Sequence, residues 1–263
     1  IWKNNPIGRL KKGHDYLSPE IEIIADESIE LETKLKLEGF LKKWLNDYIK
    51  EILGDLTSLT KQKIENQYLR ALVFQLYEKN GVIKRSEIDN IIKLIPSVER
   101  KKLWGMGIKI GRYHIYLPKM LKPKAVEFRV SLWNVFHNLT ENHPIPMFGL
   151  NFIVNKDYEK NFLLLCGFEK FKEYFVRIDI LEKLFIKILE NSKNRKFKIN
   201  SEMMNLLGCS KENFYKLMNY MNYKKDKDAD SYIFQGDKKK TKKFIKFDKK
   251  ENPFKKLLSL NIK

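Results

Sequence analysis

Apolar stripes with helical spacing, separated by short turns, constrain the fold of this chain more than any other feature. The longest stripe places an apolar residue at nearly every third or fourth position, at Leu37, Phe40, Leu41, Trp44, Leu45, Tyr48, Ile49 and Ile52. A second stripe spans 64–77 and a third spans 88–95, and each is followed by a helix-ending residue, Gly81 or Pro96. Short connections favour antiparallel helix pairs, so the first half of the chain is predicted to be helical.

A strand-like stretch comes next. Apolar and polar residues alternate along 108–117, but the apolar positions change parity at Gly111, where a bulge or bend would let both sets face the core. The following stripe, within 126–139, is apolar nearly all round and predicts a central helix. The prolines within 143–146 interrupt the pattern, and we expect a domain boundary near residue 150.

The second half has a different order of elements. We expect a hairpin at 168–178, followed by a helix whose apolar stripe lies at 180–189. A short extended piece at 197–199 then precedes two helices, whose stripes lie at 203–207 and 214–221 and which Gly208 separates. Two further strands are predicted at 232–234 and 244–247, with a lysine-rich loop between them. This order is that of a winged helix, and the alternative is a small helical bundle with a charged tail.

These patterns predict a mainly α (α+β) protein. The expected parts are an extended lead-in at 1–25, a helical accessory domain with a short β element at 26–150, a winged-helix-like domain at 151–248 and a basic tail at 249–263.

Charge indicates the class of partner. The formal net charge is +19, from 52 basic and 33 acidic residues, and such an excess favours binding to a polyanion through phosphate contacts. Only eight of the basic residues are Arg, and the many lysines have a second interpretation in biased codon usage. The absence of a long apolar run predicts no membrane span. Because the chain starts at Ile1 without a signal peptide, we expect a cytoplasmic piece of a longer protein.

The strand-like stretch and the turn after it carry the first group of candidate nucleic-acid contacts. Arg112, His114 and Tyr116 are predicted to share one strand face, with lysines close by in sequence. Cations beside rings can hold phosphates while bases rest on the rings. The alternative is a solvated strand face followed by a basic turn. The full group is Lys109, Arg112, His114, Tyr116, Lys119, Lys122 and Lys124.

The winged-helix-like domain carries two more groups. Lys211, Tyr215 and Lys216 lie outside the apolar stripe of the second helix of the pair, as polar residues of a recognition helix do. Five lysines in the predicted wing loop could straddle a phosphate backbone: Lys238, Lys239, Lys240, Lys242 and Lys243. The alternatives are a plain packing module and a solvated loop.

No motif for catalysis or metal binding is present in the sequence. Asp226, Asp228 and Asp230 resemble the start of a calcium loop, but Ser231 occupies the position that requires Gly. Neither a phosphate-binding loop nor a nucleophile elbow occurs, and Cys166 and Cys209 lack metal-ligand spacing. We therefore expect no catalytic residue, no metal and no cofactor in this chain.

Several short stretches occur in a consistent order along the chain. They are Ile7-Gly8-Arg9-Leu10, Gly13-His14-Asp15, Ile23-Ile24-Ala25-Asp26, Gly107-Ile108-Lys109-Ile110-Gly111-Arg112-Tyr113-His114-Ile115-Tyr116-Leu117-Pro118, Leu121-Lys122-Pro123-Lys124-Ala125-Val126, Val176-Arg177-Ile178-Asp179-Ile180-Leu181, Leu206-Leu207-Gly208-Cys209 and Pro253-Phe254-Lys255-Lys256-Leu257. Together they resemble the C-terminal region of bacterial DExH-box RNA helicases related to the mitochondrial degradosome helicase. The stretch from Gly107 to Val126 is the most specific of them.

The resemblance implies that two motor domains, with their ATP and Mg²⁺ site, precede this chain in an ATP-dependent RNA helicase. This chain would then be a non-catalytic accessory region that holds or guides single-stranded or junction RNA, and its partners would be RNA and those motor domains. Two alternatives stay open: a stand-alone winged-helix protein that binds DNA in replication or transcription, and a winged-helix scaffold that binds protein.

Overall fold

The computed structural model describes residues 6–24, 30–139, 144–154, 159–193, 196–226 and 231–234. The fold mixes helices with several small antiparallel sheets, which confirms the predicted α+β class. None of the helices in these ranges combines the length and the apolar character that crossing a bilayer requires.

The helices are α1 (Leu31–Ser58), α2 (Gln67–Glu78), α3 (Arg85–Leu94), α4 (Ser97–Gly105), α5 (Pro123–Phe136), α6 (Lys160–Leu165), α7 (Ile178–Glu190), α8 (Ser201–Leu207) and α9 (Lys211–Tyr220). The strands are β1 (Gly8–Asp15), β2 (Ser18–Ile23), β3 (Val82–Lys84), β4 (Lys109–Ile110), β5 (His114–Tyr116), β6 (Phe152–Val154), β7 (Phe168–Phe171), β8 (Tyr174–Arg177), β9 (Ser192–Lys193), β10 (Lys196–Lys198), β11 (Tyr223–Lys225) and β12 (Ser231–Phe234). Short 3-10 turns lie at Leu59–Lys61 and Pro118–Leu121.

The segment predicted as an extended lead-in forms a hairpin. Strands β1 and β2 pair antiparallel, and the hairpin contacts both α1 and α5. Gly13 allows the two strands to approach each other, because a β-carbon there would lie 1.9 Å from the carbonyl oxygen of Ser18. The hydroxyl of Tyr16 donates to the carbonyl oxygen of Arg129 at 2.5 Å. The lead-in is therefore an integral part of the first half.

The first half contains a compact unit, residues 67–116, which we name the first unit. Its elements follow the order α2, β3, α3, α4, β4, β5, and its sheet has the order β3-β5-β4. Helix α2 begins at the cap Asn66, whose side chain accepts hydrogen bonds from the backbone N–H groups of Tyr68 and Leu69. Leu69, Leu72 and Leu76 of this helix are buried in the core of the unit.

Helix α4 and the turn at Gly111 differ from the sequence prediction. Helix α4 was not predicted, since only Leu103 among its residues is buried and it shows no apolar stripe. At 108–117 the chain reverses direction at 111–113 and pairs β4 with β5, rather than continuing as one bulged strand. Gly111 therefore lies in the turn of a hairpin.

The predicted central helix is present as α5, which contacts β1, α1 and α6. It buries the charged side chain of Arg129 completely. The guanidinium donates to three carbonyl oxygens: Nη1 to Asn80 at 2.7 Å, and Nη2 to Met120 at 2.5 Å and Leu165 at 2.9 Å. These bonds give the two terminal nitrogens of a buried cation backbone acceptors from both halves of the chain.

The second half contains a similar unit, residues 178–234, which we name the second unit. Its order is α7, β10, α8, α9, β11, β12, with β9 paired at the edge, and its sheet order is β11-β12-β10-β9. The turn between α8 and α9 uses Gly208 in the left-handed region, at φ 67° and ψ 35°. Asn200 and Ser210 cap the two helices by accepting from Met203 and Asn213. The order of helices and strands repeats that of the first unit.

The final strands differ from the prediction in their pairing. Strand β12 contains the predicted segment 232–234, but its hairpin partner is β11 at 223–225, which was not predicted. The connection between β11 and β12 is therefore 226–230. The predicted strand at 244–247 and the predicted basic tail at 249–263 lie outside the described residues.

Packing joins the two halves across the expected boundary near residue 150. Strands β6, β8 and β7 form a sheet whose residues Phe168 and Phe175 pack with α6 against Val126 and Val130 of α5. Val82 and Tyr116 of the first unit form a smaller buried cluster with Ile178, the first residue of α7. The two units therefore share a buried interface.

Candidate nucleic-acid interface

A cleft of about 900 Å³ lies between the two units, and we name it the central cleft. One wall comes from α4 and the hairpin β4–β5 of the first unit, and the other comes from α7 of the second. The cleft is lined by charged, aromatic and aliphatic side chains, among them Arg85, Trp104, Lys109, Arg112, Tyr116, Asp179, Glu182, Lys183, Phe185, Ile186 and Leu189.

The tip of the β4–β5 hairpin is fixed to α7 by Glu182. One carboxylate oxygen, Oε2, accepts from the backbone N–H of Arg112 at 2.5 Å. The other, Oε1, accepts from those of Tyr113 and His114, each at 2.9 Å. Consecutive N–H groups that converge on one carboxylate form an anion-binding concavity, here filled from within the chain. The hairpin tip is therefore a contact between the units.

Behind this tip lies a buried charged group. His114 is 1% exposed, and its Nε2 is 2.9 Å from Oε2 of Glu169, whose other carboxylate oxygen pairs with Lys84. Burial lowers the pKa of His114, but the hydrogen bond to Glu169 and the charges of Glu169 and Glu182 outweigh it and raise that pKa above its usual value. Burial raises the pKa of Glu169, but His114 and Lys84 outweigh it and lower that pKa. Both shifts favour the charged forms of His114 and Glu169.

Both carboxylates in the cleft are occupied by internal donors. Glu182 accepts the three backbone bonds described above. Asp179 binds both arms of the Arg177 guanidinium, through Nε and Nη2, at 2.6 Å each. Burial raises the pKa of Asp179, but Arg177 outweighs that and lowers it. The negative charge in the cleft is therefore compensated inside the protein.

Cations remain along the rim of the cleft. Lys109 and Lys183 are exposed. The Arg112 guanidinium lies 5.8 Å from the ring centroid of Phe185, a cation–π distance. Arg85 serves the fold as well, because its Nη1 donates to the carbonyl oxygen of Gly111 at 2.9 Å and its Nε to Asp89 at 3.3 Å. The rim is consequently electropositive.

Both walls of the cleft expose apolar side chains, one of them a ring. Trp104, at the end of α4, is 74% exposed although it lies beside the buried core residue Leu103. Ile186 and Leu189 of α7 are 54% and 56% exposed and line the same cleft. An exposed tryptophan near aliphatic side chains and cations offers a stacking surface next to phosphate-binding groups.

The structure separates the first group of predicted contacts. Lys109 and Arg112 line the cleft together, as expected, but His114 and Tyr116 do not share a solvent-facing strand face with Arg112. His114 is occupied by Glu169, and Tyr116 is 5% exposed. Burial, with the nearby charge of Glu182, raises the pKa of Tyr116 to about 12, so its phenol stays neutral. The face predicted as a contact surface is thus a packing surface.

The lysines after the hairpin lie elsewhere. Lys119 pairs with Asp55 at 2.8 Å. Lys122 and Lys124 are exposed at the start of α5 and are not among the residues that line the cleft. The seven predicted residues therefore do not form one patch.

The second group lies on α9, as predicted. Lys211 is exposed, with its Nζ 5.7 Å from the ring centroid of Tyr215, and Tyr215 stacks on Tyr232 at 6.1 Å. Lys216 pairs with Glu212 at 2.6 Å, which compensates its charge. The third group, Lys238, Lys239, Lys240, Lys242 and Lys243, lies outside the described residues.

Sequence reasoning missed most of the cleft, including Arg85, Trp104, Lys183 and Phe185. Lys183 and Phe185 lie in a predicted helix, Arg85 lies just before the third predicted stripe, and Trp104 lies in the unpredicted α4. An isolated Trp beside Lys101 and Lys102 was the available signal.

In the ranges that the structure describes, His, Cys, Asp and Glu side chains form no group of three or more that could hold a metal ion. Comparison with protein-family models, with curated proteins and with solved structures finds no match.

Proposed function

We propose that this chain is a non-catalytic nucleic-acid-binding segment that holds single-stranded RNA for an ATP-dependent helicase motor located before it in the same protein. The observation that carries this proposal is the central cleft, which is lined both by the exposed ring of Trp104 and by the cations Lys109, Arg112 and Lys183. ATP and Mg²⁺ would be bound by the motor domains. This chain would contribute binding and guidance.

The chemistry of the cleft favours a single strand over a duplex. Bases must be unpaired to lie on Trp104 or on Ile186 and Leu189, while their phosphates reach the rim cations. Such contacts tolerate any sequence, because every base has a π-face and the phosphates carry no sequence information. A segment that holds RNA while a helicase motor moves along it has to bind every sequence that passes.

We further propose that both units are winged helices. In each, two helices and a two-stranded hairpin follow a helix and a strand, and the hairpin's second strand pairs with the strand just before the two helices. In the second unit this places α9, with Lys211 and Tyr215, in the position of a recognition helix. In the first unit the tip of the hairpin contacts Glu182, and α4 with its Trp104 lines the cleft beside the hairpin.

The link to a helicase rests on the resemblance described above, above all on the stretch from Gly107 to Val126. That stretch includes the hairpin β4–β5 and the first residues of α5. Within it, Lys109, Gly111 and Arg112 line the cleft, and the backbone N–H of Arg112 donates to Glu182 at the contact between the units. This coincidence supports the proposal that the same arrangement serves RNA guidance.

The test is binding of a fluorescently labelled single-stranded RNA to the triple variant Lys109→Ala, Arg112→Ala and Lys183→Ala across a range of salt concentrations. A matched control is the triple variant Lys36→Ala, Lys42→Ala and Lys50→Ala, which removes equal charge from α1, where each lysine already pairs with a carboxylate. Each lost phosphate contact lowers the log–log salt slope by about 0.7, so the cleft variant should lose about two units of slope.

The control should keep most of its slope and affinity. Equal losses in both variants would show that only net charge matters and would contradict the cleft. Binding of duplex DNA with a defined sequence preference, by a specificity ratio of about 10³ or more, would instead favour the DNA-binding alternative.

A further inference from the structure

A second pocket, of about 500 Å³, lies between the N-terminal hairpin, the end of α2 and the end of α5. It shares no lining residue with the central cleft. Its size is within the range of small-molecule sites, which are mostly apolar with a few convergent polar groups. We name it the aromatic pocket.

Rings from three elements line this pocket: Tyr16, Tyr77, Trp133 and Phe136, with the imidazoles of His14 and His137 at its edge. The rings are held at angles to one another. Tyr16 meets Phe136 edge-on at 6.3 Å, and His137 lies 4.8 Å from Trp133 and 5.5 Å from Phe136. The hydroxyl of Tyr16 is fixed by its bond to the carbonyl oxygen of Arg129.

The charges of the aromatic pocket are negative. Asp15 and Glu78 line it, and none of the described lining residues is a Lys or an Arg. Asp15 is held in place because its Oδ2 accepts from the hydroxyl of Tyr77 at 2.9 Å and its Oδ1 from the backbone N–H of Leu17 at 3.4 Å. A phosphate would meet two carboxylates and no lining cation. The charges therefore exclude a nucleotide and favour a cation.

One ring of this pocket already holds an ammonium group. The Nζ of Lys12 lies 4.8 Å from the ring centroid of Phe136, a cation–π contact. A primary ammonium also needs acceptors for three N–H groups, and Asp15, whose two oxygens each accept one bond inside the protein, keeps only part of its capacity for them. A methylated ammonium needs no such acceptors and is bound by ring faces.

We propose that the aromatic pocket binds a quaternary ammonium group, either of a free small molecule or of a trimethylated lysine side chain. Ring faces supply the attraction, and Asp15 and Glu78 supply the compensating charge. This site is independent of RNA binding in the central cleft.

The test is isothermal titration of the whole chain with three matched probes: choline, ethanolamine and the neutral choline isostere 3,3-dimethylbutan-1-ol. Choline should bind saturably, and about tenfold more tightly than either of the others, in line with a cation–π contribution. Equal binding of the neutral isostere would show a merely apolar pocket and would overturn the proposal. Absence of choline binding, or tighter binding of adenosine than of choline, would also overturn it.

Variants assign the binding to this pocket. Phe136→Leu removes a ring and should weaken choline binding about tenfold. Glu78→Gln changes an exposed side chain that the fold does not require and should weaken it severalfold. The control Glu87→Gln removes an acid from α3, outside the pocket, and should leave binding unchanged. Unchanged choline affinity in Glu78→Gln and Phe136→Leu together would refute the assignment. A short peptide that contains trimethyl-lysine is titrated in parallel with choline. Whichever of the two binds more tightly identifies the source of the quaternary ammonium group.

Discussion

The carboxylate of Glu182 occupies the space that a β-carbon on Gly111 would need. An added β-carbon would lie 2.2 Å from the carboxyl carbon and 2.4 and 2.5 Å from the two oxygens. Glycine at this turn therefore lets α7 approach the backbone of the β4–β5 hairpin closely enough for Glu182 to accept its N–H groups. The contact between Glu182 and the hairpin therefore depends on residue 111 having no β-carbon.

Replacing Gly111 with Ala should destabilise the protein. The new methyl group must displace the Glu182 carboxylate, which weakens three buried hydrogen bonds, so we expect a loss of about 2–4 kcal/mol in the free energy of unfolding. Urea denaturation followed by circular dichroism measures it. The matched control is Gly39→Ala in the middle of α1, where a β-carbon meets nothing within 4 Å. There the substitution should add about 0.5–1 kcal/mol of stability. Effects of the same sign in both variants would contradict this account.

The buried ion pair of His114 and Glu169 should make stability depend on pH. The folded pKa of His114 is raised above its ordinary value of 6.5. Its contribution is therefore fully present below about 6.5 and is lost as pH rises through the folded pKa. The folded pKa of Glu169 is lowered, so its contribution is present above its ordinary 4.5 and is lost as pH falls through the folded value. The pair should thus contribute most in mildly acidic solution.

The free energy of unfolding is measured from pH 5 to pH 9 to check this dependence, because this range spans the ordinary histidine pKa of about 6.5. The difference between the natural chain and the His114→Gln variant should shrink as pH rises. Glu169→Gln removes the hydrogen-bonded partner but leaves Glu182, and it should reduce the same dependence. A difference that stayed constant with pH would show that His114 is not protonated in the fold.

Replacing Arg129 with Met should cost about 3 kcal/mol or more, because three buried carbonyl oxygens lose their donors. Met fills much of the same volume, which separates the lost hydrogen bonds from a packing defect. Arg100→Met is the comparison, since the half-buried Arg100 donates through Nε to the carbonyl oxygen of Ile95 at 2.9 Å. It should cost about 1 kcal/mol. Similar urea midpoints for the two variants would disprove the special role of Arg129.

Trp104→Ala should weaken binding of single-stranded RNA by about 1–3 kcal/mol if one base stacks on the ring. The salt dependence should not change, because no charge is removed. Fluorescence anisotropy at several salt concentrations separates the two quantities. Trp44→Ala is the control: that ring on α1 is 54% exposed and stacks on Tyr48 at 5.4 Å. Equal losses of affinity in both variants would remove Trp104 from the interface.

The elements with regular apolar patterns could be predicted from the sequence. The stripes at 37–52 and 64–77 correspond to α1 and α2, and the stripe at 180–189 corresponds to α7. Gly208 and the apolar residues around it correctly predicted two helices joined by a short turn. In these segments the local pattern and the tertiary packing agree.

The elements that depend on distant partners could not be predicted. Helix α4 buries one residue of its own, Leu103, and is held by its neighbours. Strand β11 is three residues long, too short to show an alternating apolar pattern, and is recognised only through its pairing with β12. The burial of His114 follows from acids at 169 and 182, which no local pattern connects to residue 114. The cleft was therefore predicted only at Lys109 and Arg112.

The coordination of Arg129 has a consequence for engineering. Its three carbonyl acceptors belong to segments around residues 80, 120 and 165, on both sides of the helix that carries it. A chain divided near residue 150 would place Leu165 on a different polypeptide from its cation. The two halves thus form one structural unit, and any graft, truncation or split reporter made from this protein has to include both halves.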